Sequence, residues 1–150
     1  LFDALCEAGP FSEARAAAVV RQIADAVAFL HAQGIAHLDL KPENVLLTSR
    51  AADACVKLVD FGISCETREM DVVKPGTWAY WPPEAFRQPR HIGLHTDMWA
   101  LGCVLFILLA GYHPFDKNGN ADLHTMQRRI LTEPPDFSDS LWDHISPSAR

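Results

Sequence analysis

The segment HLDLKPEN, residues 37–44, contains side chains whose chemistry suits phosphoryl transfer. Asp39 can accept a proton, Lys41 can balance the charge of a phosphate, and Asn44 offers an amide oxygen to a hard cation. A proton acceptor, a cation and metal ligands are the groups that this chemistry requires. A second metal ligand would complete the set.

Two short predicted strands place that ligand beside the loop. Residues 45–47 and 56–59 are rich in valine and leucine, and the polar turn TSRAADA separates them. An antiparallel pair brings the residue before its first strand next to the residue after its second. We therefore expect Asn44 and Asp60 to meet at one edge of a small β-hairpin, where two oxygen ligands suit Mg²⁺ bound together with substrate phosphates.

The remaining elements are predicted to be mostly helical. A helix over residues 1–8 stops at Gly-Pro, and Ser12 is a good N-cap for a second helix to about Gln33. Its apolar face has helical spacing: Ala16, Val20, Ile23, Val27 and Leu30.

A long irregular segment is predicted in the middle of the chain, over residues 60–83. A buried helix follows over residues 98–111, with Thr96 as its candidate cap, and a shorter helix covers about residues 121–131. The segment 98–111 is uncharged but shorter than the roughly 20 residues that a membrane-spanning helix needs. We therefore expect no membrane span.

Composition limits the possible partners. The chain has 150 residues, 49% of them hydrophobic, and a formal net charge of −6. This charge argues against a nucleic-acid partner. The four cysteines lack the spacing of a zinc site or a disulfide framework, so we expect a cytoplasmic protein. Because the first residue is Leu1 and not methionine, we expect the chain to be part of a longer protein.

Taken singly, these residues have ordinary structural explanations. Asp39 alone could be a turn aspartate, His37 a packed core histidine, and the DFG segment at residues 60–62 a strand end. The joint pattern is more specific. An H-x-D-L-x-x-x-N string followed at hairpin distance by D-F-G has a mechanistic reason at each position.

These motifs resemble the C-terminal lobe of a eukaryotic protein kinase. HLDLKPEN resembles the catalytic loop, DFG the metal-binding motif, and GTWAYWPPE at residues 76–84 the end of the activation segment. DMWALG at residues 97–102 resembles the start of the lobe's central helix. The resemblance covers essentially residues 1–150, as one partial kinase domain. It implies a mainly α fold with a small two-stranded β-hairpin that carries the catalytic edge.

The resemblance implies specific catalytic roles. Asp39 is the expected catalytic base, Lys41 contacts the transferred phosphate, and Thr77 bonds both of them. Asn44 and Asp60 are the expected magnesium ligands. Lysine at position 41 is typical of serine/threonine kinases rather than tyrosine kinases.

Further roles concern binding and support. Leu46 resembles the floor under adenine, so the expected ATP-binding residues are Lys41, Asn44, Leu46 and Asp60. Glu43 resembles the acid that meets a basic residue before the acceptor of a protein substrate. Asp97 resembles a buried acid that holds the backbone of the catalytic loop, and His37 and Phe61 resemble members of a regulatory apolar stack.

The helices resemble most closely those of calcium/calmodulin-dependent and calcium-dependent kinases. This similarity implies possible calcium/calmodulin-type regulation by segments outside the 150 residues.

Three departures from the family pattern stand out. Leu38 occupies the place of an arginine, and Pro82 occupies the place of an alanine before Pro83 and Glu84. The sequence also contains no G-x-G-x-x-G loop, so the N-terminal lobe is expected to be missing and residues 1–150 alone to be inactive. The arginine that pairs with Glu84 in the family is expected beyond Arg150.

Three functional hypotheses remain open from the sequence. The first is a serine/threonine protein kinase that uses ATP and Mg²⁺, with activity in the full-length chain. The second is a kinase-like lobe that acts as a non-catalytic binding or scaffold module. The third is an unrelated metal-dependent hydrolase that uses Asp39, Asn44 and Asp60.

Overall fold

A computed structural model describes residues 1–51, 53–66, 76–87 and 92–149. The predicted mainly helical fold with a small β-hairpin is confirmed. The helices are α1 (Phe2–Ala8), α2 (Glu13–Ala32), α3 (Pro83–Arg87), α4 (Leu94–Ala110) and α5 (Leu123–Thr132). The strands are β1 (Ile35–Ala36), β2 (Val45–Leu47), β3 (Val56–Leu58) and β4 (Cys65–Glu66).

Ser12 is the N-cap of α2, as predicted, and its hydroxyl accepts a hydrogen bond from the Arg15 N–H. The buried stripe differs from the predicted face, because Val19 is buried whereas Val20 and Leu30 are only partly buried. This stripe packs against α4 and forms with it the largest apolar cluster of the described residues. These two packed helices support the loop formed by residues 37–44.

Helix α4 is apolar on nearly all sides, and Leu108 and Val104 in its interior are almost completely inaccessible to solvent. The prediction that Thr96 caps this helix was wrong by one turn. Gly93 is the N-cap, and the Thr96 hydroxyl accepts a hydrogen bond from the Gly93 N–H at 3.2 Å. Gly111 ends the helix in the left-handed conformation, with φ 79°.

Among the described residues, no helix combines the length and the apolar character that crossing a membrane would require.

The predicted hairpin forms from β2 and β3 in antiparallel register, with Val45 opposite Leu58 and Leu47 opposite Val56. Gln22 of α2 fixes the turn end of this hairpin. Its side-chain amide donates to the Ala54 carbonyl and accepts from the Val56 N–H. Gln22 thus attaches the hairpin to α2 by hydrogen bonds that are separate from those between β2 and β3.

A second antiparallel pair was not predicted. Strand β1 pairs with β4, so that Ala36 lies opposite Cys65 and Ile35 opposite Glu66. Strand β4 and a short 3₁₀ turn at Trp78–Tyr80 lie within the segment that we predicted to be irregular. Residues 67–75 of that segment lie outside the described residues.

Candidate active site

Asp39 is surrounded by hydrogen-bond donors. Its Oδ1 accepts from the N–H and the hydroxyl of Thr77 at 2.8 and 2.9 Å. Its Oδ2 lies 2.8 Å from Lys41 Nζ and 2.9 Å from the Asn44 side-chain N–H. A carboxylate has about four lone-pair positions, so these donors fill its capacity.

This environment keeps Asp39 ionised. Burial alone would raise the pKa of Asp39, but the hydrogen bonds from Lys41 and Thr77 outweigh burial and hold the pKa below its ordinary value. At neutral pH the Asp39 carboxylate is therefore deprotonated and only accepts hydrogen bonds. A general base has to be in this state before it takes a proton.

Lys41 and Thr77 complete a closed triangle with Asp39. The Thr77 hydroxyl donates to Asp39 and accepts from Lys41 Nζ at 2.7 Å, so one hydroxyl serves both partners. The structure thus brings together the three predicted catalytic residues, although 36 positions separate Lys41 from Thr77.

Asn44 and Asp60 lie at the predicted edge of the hairpin. Asn44 directly precedes β2, and its carbonyl accepts a hydrogen bond from the Val59 N–H at 3.0 Å, next to Asp60. The Asn44 side chain is buried and donates both to the Asp39 carbonyl and to its carboxylate. Its amide oxygen remains for a cation.

Asp60 is exposed and has φ 63°, a left-handed conformation that is uncommon for residues other than glycine. Its Oδ1 accepts a weak hydrogen bond from the Gly62 N–H at 3.3 Å. One carboxylate and one amide oxygen fit Mg²⁺, which binds few protein groups and completes its shell with phosphates and water. Among the described residues, no cluster of three or more His, Cys, Asp or Glu side chains could hold a metal.

Glu43, in the loop, and Leu46, just after it, are both exposed. Glu43 lies in the 3₁₀ turn Pro42–Asn44, and Leu46 is the central residue of β2, with 49% of its surface accessible. Burial raises the pKa of Tyr80, and the negative charge of Glu43 adds to the effect. The carboxylate of Glu43 therefore lies near the end of the predicted activation segment.

A buried acid supports the loop backbone as expected. Asp97, in the first turn of α4, has no accessible surface and accepts from the N–H groups of His37 and Leu38, each at 2.8 Å. Its Oδ2 also lies 2.8 Å from His31 Nε2 at the end of α2. Leu38 is held with φ 66°, a second left-handed residue in this small region.

His37 connects the loop to the DFG segment. The Asp39 N–H donates to His37 Nδ1, so the proton is on Nε2, which donates to the Val59 carbonyl at 3.1 Å. The ring centroids of His37 and Phe61 are 5.0 Å apart. The two expected members of the apolar stack are therefore in contact.

Gly76 is a site residue for which the sequence analysis gave no role. Its N–H donates to the Leu38 carbonyl, and its carbonyl accepts from the Trp81 indole N–H at 3.2 Å. A Cβ atom at this position would overlap Asp39 Oδ1 and lie 2.7 Å from Ile63 Cδ1. Glycine is required here because the backbone passes directly against the carboxylate.

Two of the three departures can be located. Pro82 is buried and precedes α3, whose first residue is Pro83. In the same helix Glu84 Oε1 lies 3.3 Å from His95 Nε2. Leu38 is buried, with 4% of its surface accessible.

Comparison with known proteins agrees with this geometry. A family model described as "Protein kinase domain" matches residues 1–150. The chain is 39% identical over 172 residues to the serine/threonine-protein kinase PKZ1 of Phytophthora infestans, covering 100% of the chain and 41% of that protein. It is 42% identical over 153 residues to calcium/calmodulin-dependent protein kinase type IV of Homo sapiens, covering 100% of the chain and 32% of that protein.

The chain is 37% identical over 152 residues to the calcium/calmodulin-dependent protein kinase type II of Caenorhabditis elegans, covering 100% of the chain and 21% of that protein. The chain thus spans about two fifths or less of the length of these relatives. Since the family model extends over the whole chain, and the motifs that resemble a kinase lobe surround a single carboxylate, the chain belongs to the protein kinase domain family.

Proposed function

We propose that the whole protein containing this chain is a serine/threonine protein kinase, which transfers the γ-phosphate of ATP to a serine or threonine hydroxyl of a protein substrate. The observation that carries the proposal is the closed arrangement of Asp39, Lys41, Thr77 and Asn44. Phosphoryl transfer is mainly positioning and electrostatic stabilisation, and this arrangement supplies a fixed carboxylate with a cation beside it.

In this proposal Asp39 orients the substrate hydroxyl and accepts its proton. Because donors already fill the carboxylate, one of them has to move away when the hydroxyl binds. Lys41 is that donor, since its side chain is flexible and is one-fifth exposed, whereas the Thr77 N–H is fixed by the backbone. When Lys41 moves from Asp39, its charge becomes available to the transferred phosphate.

Asn44 and Asp60 would hold magnesium, and Leu46 would contact adenine. Mg²⁺, when bound, neutralises charge on the phosphate oxygens. Asn44 fits this role because both hydrogens of its amide are used by Asp39, which directs the remaining oxygen elsewhere. Leu46 fits because it is an apolar side chain exposed on the hairpin beside the loop.

The geometry of the site argues against the alternative of a non-catalytic scaffold. A binding module has no need of four donors around one partly exposed carboxylate, or of two left-handed residues beside it. Membership in the kinase family argues against the third hypothesis, an unrelated hydrolase.

Two finer parts of the proposal concern partners. Glu43 is exposed within the loop, so we propose a preference for substrates with basic residues before the acceptor. Calcium/calmodulin regulation is suggested by the resemblance of the helices and by the names of relatives, and it would act through segments outside residues 1–150. Comparing the activity of the full-length protein with and without Ca²⁺ and calmodulin tests this part. Location in the cytoplasm remains a prediction.

The central test is a radiolabelled phosphate-transfer assay on the purified full-length protein. Peptides that differ only in a serine, threonine or tyrosine acceptor measure the acceptor class. We expect transfer to serine and threonine, abolished by Asp39→Asn and by Asp60→Asn but retained in Asp53→Asn, an exposed aspartate in the hairpin turn. Activity in Asp39→Asn equal to that of the unaltered protein would show that the proposed mechanism is wrong.

Residues 1–150 alone are expected to be inactive in the same assay. Leu46 is about half exposed, so adenine would meet an apolar wall on one side only. The sequence of this chain also contains no glycine-rich loop to cover the phosphates. Robust transfer by the isolated chain would contradict this part of the proposal.

A further inference from the structure

The loop between α4 and α5 carries a histidine with a buried ring nitrogen. His113 Nδ1 accepts a hydrogen bond from the Phe115 N–H at 3.2 Å, so the proton of the neutral ring is on Nε2. This Nε2 is inaccessible to solvent and has no hydrogen-bond partner among the described residues. Because a buried donor without an acceptor is uncommon, what the ring contacts instead deserves an explanation.

The ring of His113 is uncharged at neutral pH. Burial lowers the pKa of His113 to about 4, against the opposing effects of Asp116 and the Ala79 backbone. The charge of Asp116 is itself balanced, since its Oδ1 lies 3.4 Å from Arg129 Nη1 of α5. Burial raises the pKa of the neighbouring Tyr80. Further ionisable groups act on Tyr80 in the same direction: Glu43, Cys103 and Asp39.

Tyr80 is the aromatic neighbour of this histidine. The centroids of the two rings are 5.4 Å apart and their planes lie at 86° to each other, so the rings meet edge to face. Tyr80 ends the 3₁₀ turn Trp78–Tyr80, and its side chain also packs against the main apolar cluster. The imidazole of His113 therefore rests against the end of this turn.

The 3₁₀ turn joins Tyr80 to the catalytic residues. The Tyr80 N–H donates to the Thr77 carbonyl at 3.0 Å, and Thr77 uses both its own N–H and its hydroxyl on Asp39 Oδ1. The Thr77 hydroxyl also accepts from Lys41 Nζ. A displacement of Tyr80 would therefore move Thr77, and with it the triangle that Thr77 forms with Asp39 and Lys41.

The loop that carries His113 is held on its other side by α5. Arg129 donates to the Phe115 carbonyl at 2.8 Å, and the Ala121 N–H, just before α5, donates to Asp116 Oδ2 at 2.9 Å. The Asp116 N–H closes a turn onto the His113 carbonyl at 3.0 Å. The loop is thus a fixed support from which the imidazole reaches the 3₁₀ turn.

We propose that His113 is a positioning residue for phosphoryl transfer: its neutral ring packs against Tyr80 and so keeps Thr77 in place beside Asp39 and Lys41. This inference rests on the proposed kinase function, because the reaction that the positioning serves is phosphate transfer. The contact between the two rings also has a structural consequence that can be measured without activity.

Two substitutions separate the two nitrogens of the ring. In His113→Asn the side-chain amide lies near the place of Nδ1 and can still accept from the Phe115 N–H, but it is too short to reach Tyr80. In His113→Gln the longer side chain reaches the place of Nε2 and retains a contact with Tyr80. The exposed His124 of α5 receives the same two substitutions as a matched control.

The measurements use the full-length protein. Hydrogen exchange at the amides of Thr77 and Tyr80 reports whether the turn is held, since both N–H groups are hydrogen-bonded in the structure. The turnover number and the KM for ATP report the catalytic consequence. Denaturant titration measures the stability of each variant.

We expect His113→Asn to speed exchange at both amides and to lower the turnover number by about tenfold, with a smaller change in the KM for ATP. His113→Gln should keep most of the turnover number although it loses the bond to Phe115 and some stability. Both His124 variants should match the unaltered protein. Adding Tyr80→Leu to His113→Asn should lower turnover little further, because the two rings act as one unit.

The outcomes separate this inference from the proposed function. If the unaltered protein transfers no phosphate but His113→Asn still speeds exchange, the kinase function fails and the support of Thr77 by His113 stands. Equal turnover in His113→Asn and His124→Asn would overturn the inference. So would equal loss of turnover in His113→Asn and His113→Gln, or additive losses from His113→Asn and Tyr80→Leu. Should His113→Asn not fold, Tyr80→Leu removes the same ring contact from the other side and is expected to lower turnover and speed exchange at Thr77 alike.

Discussion

His31 Nε2 lies 2.8 Å from Oδ2 of Asp97, which joins the end of α2 to the first turn of α4. The same buried carboxylate accepts from the N–H groups of His37 and Leu38. Three donors therefore converge on one side chain with no accessible surface, and two of them belong to the catalytic loop. The contact between the two helices is thereby linked to the loop that carries Asp39.

We expect Asp97→Asn to destabilise the protein by about 2–4 kcal/mol, because an amide NH₂ would face a donor in a buried site. The free energy of unfolding from denaturant titration measures this loss. Asp53→Asn, in an exposed turn, is the matched control and should change stability little. A stable Asp97→Asn variant would show that the three hydrogen bonds are not needed to hold the loop.

Gly76→Ala should lower the turnover number strongly without preventing folding. The added Cβ would overlap the Asp39 carboxylate, so either Asp39 or residues 76–77 have to move. A misplacement of about 1 Å can reduce a rate by about a hundredfold. Gly102→Ala is the control, since a Cβ at that α4 position has no neighbour within 4 Å. Equal activity of the two variants would contradict the close approach at Gly76.

Thr77→Val should remove the hydroxyl that serves Asp39 and Lys41 while keeping the shape of the side chain. Its N–H bond to Asp39 remains, so we expect a partial loss of turnover, about tenfold, rather than abolition. Thr77→Ser keeps the hydroxyl and should retain most of the activity. Steady-state kinetics on the full-length protein compares them, and an inactive Thr77→Ser would point to a role of the methyl group instead.

Protonation of His113 should lower the free energy of unfolding as the pH falls from 6.5 to 4. Burial lowers the pKa of His113 from 6.5 to about 4, although Asp116 and the Ala79 backbone oppose this effect. The unfolded chain then binds a proton at higher pH than the folded chain, so the contribution of His113 is complete above pH 6.5 and is lost as pH approaches 4. Its size is on the order of 3 kcal/mol.

Thermal unfolding across this pH range, with His113→Asn as the test variant, measures the effect. Asparagine keeps an acceptor for the Phe115 N–H, which donates to His113 Nδ1 at 3.2 Å. We expect the variant to show a flatter pH dependence, and the exposed His124→Asn to behave like the unaltered protein. An unchanged slope in His113→Asn would refute the assignment.

Glu43→Gln should weaken any preference for arginine before the acceptor. A charge-assisted hydrogen bond is worth about 1.5–3 kcal/mol, which corresponds to more than a tenfold difference in kcat/KM. A peptide library screened with the full-length protein provides the measurement. Glu133→Gln, an exposed acid after α5, is the control and should leave the preference unchanged. No preference for arginine in the unaltered protein would rule out this role for Glu43.

The sequence by itself determined the features that depend on neighbouring residues. Ser12 caps α2 because capping involves residues three positions apart, and the hairpin forms because two strands rich in valine and leucine flank a polar turn. The hairpin in turn places Asn44 beside Asp60, so that this part of the site followed from local pattern and strand geometry. Motif spacing identified Asp39, Lys41 and Thr77 as a set, although only by resemblance.

Only the tertiary structure decided which distant groups converge. The β1–β4 pair is two residues long on each side, too short for a period of two to stand out in the sequence. His31 meets Asp97 across 66 positions, and no local pattern distinguishes that histidine from the others. Glycine is needed at position 76 because the folded chain brings the backbone of Gly76 against the Asp39 carboxylate. Leu38 is buried because the folded chain places apolar side chains from distant parts of the sequence around it. These contacts arise from long-range packing, whose geometry is fixed when the whole chain is folded.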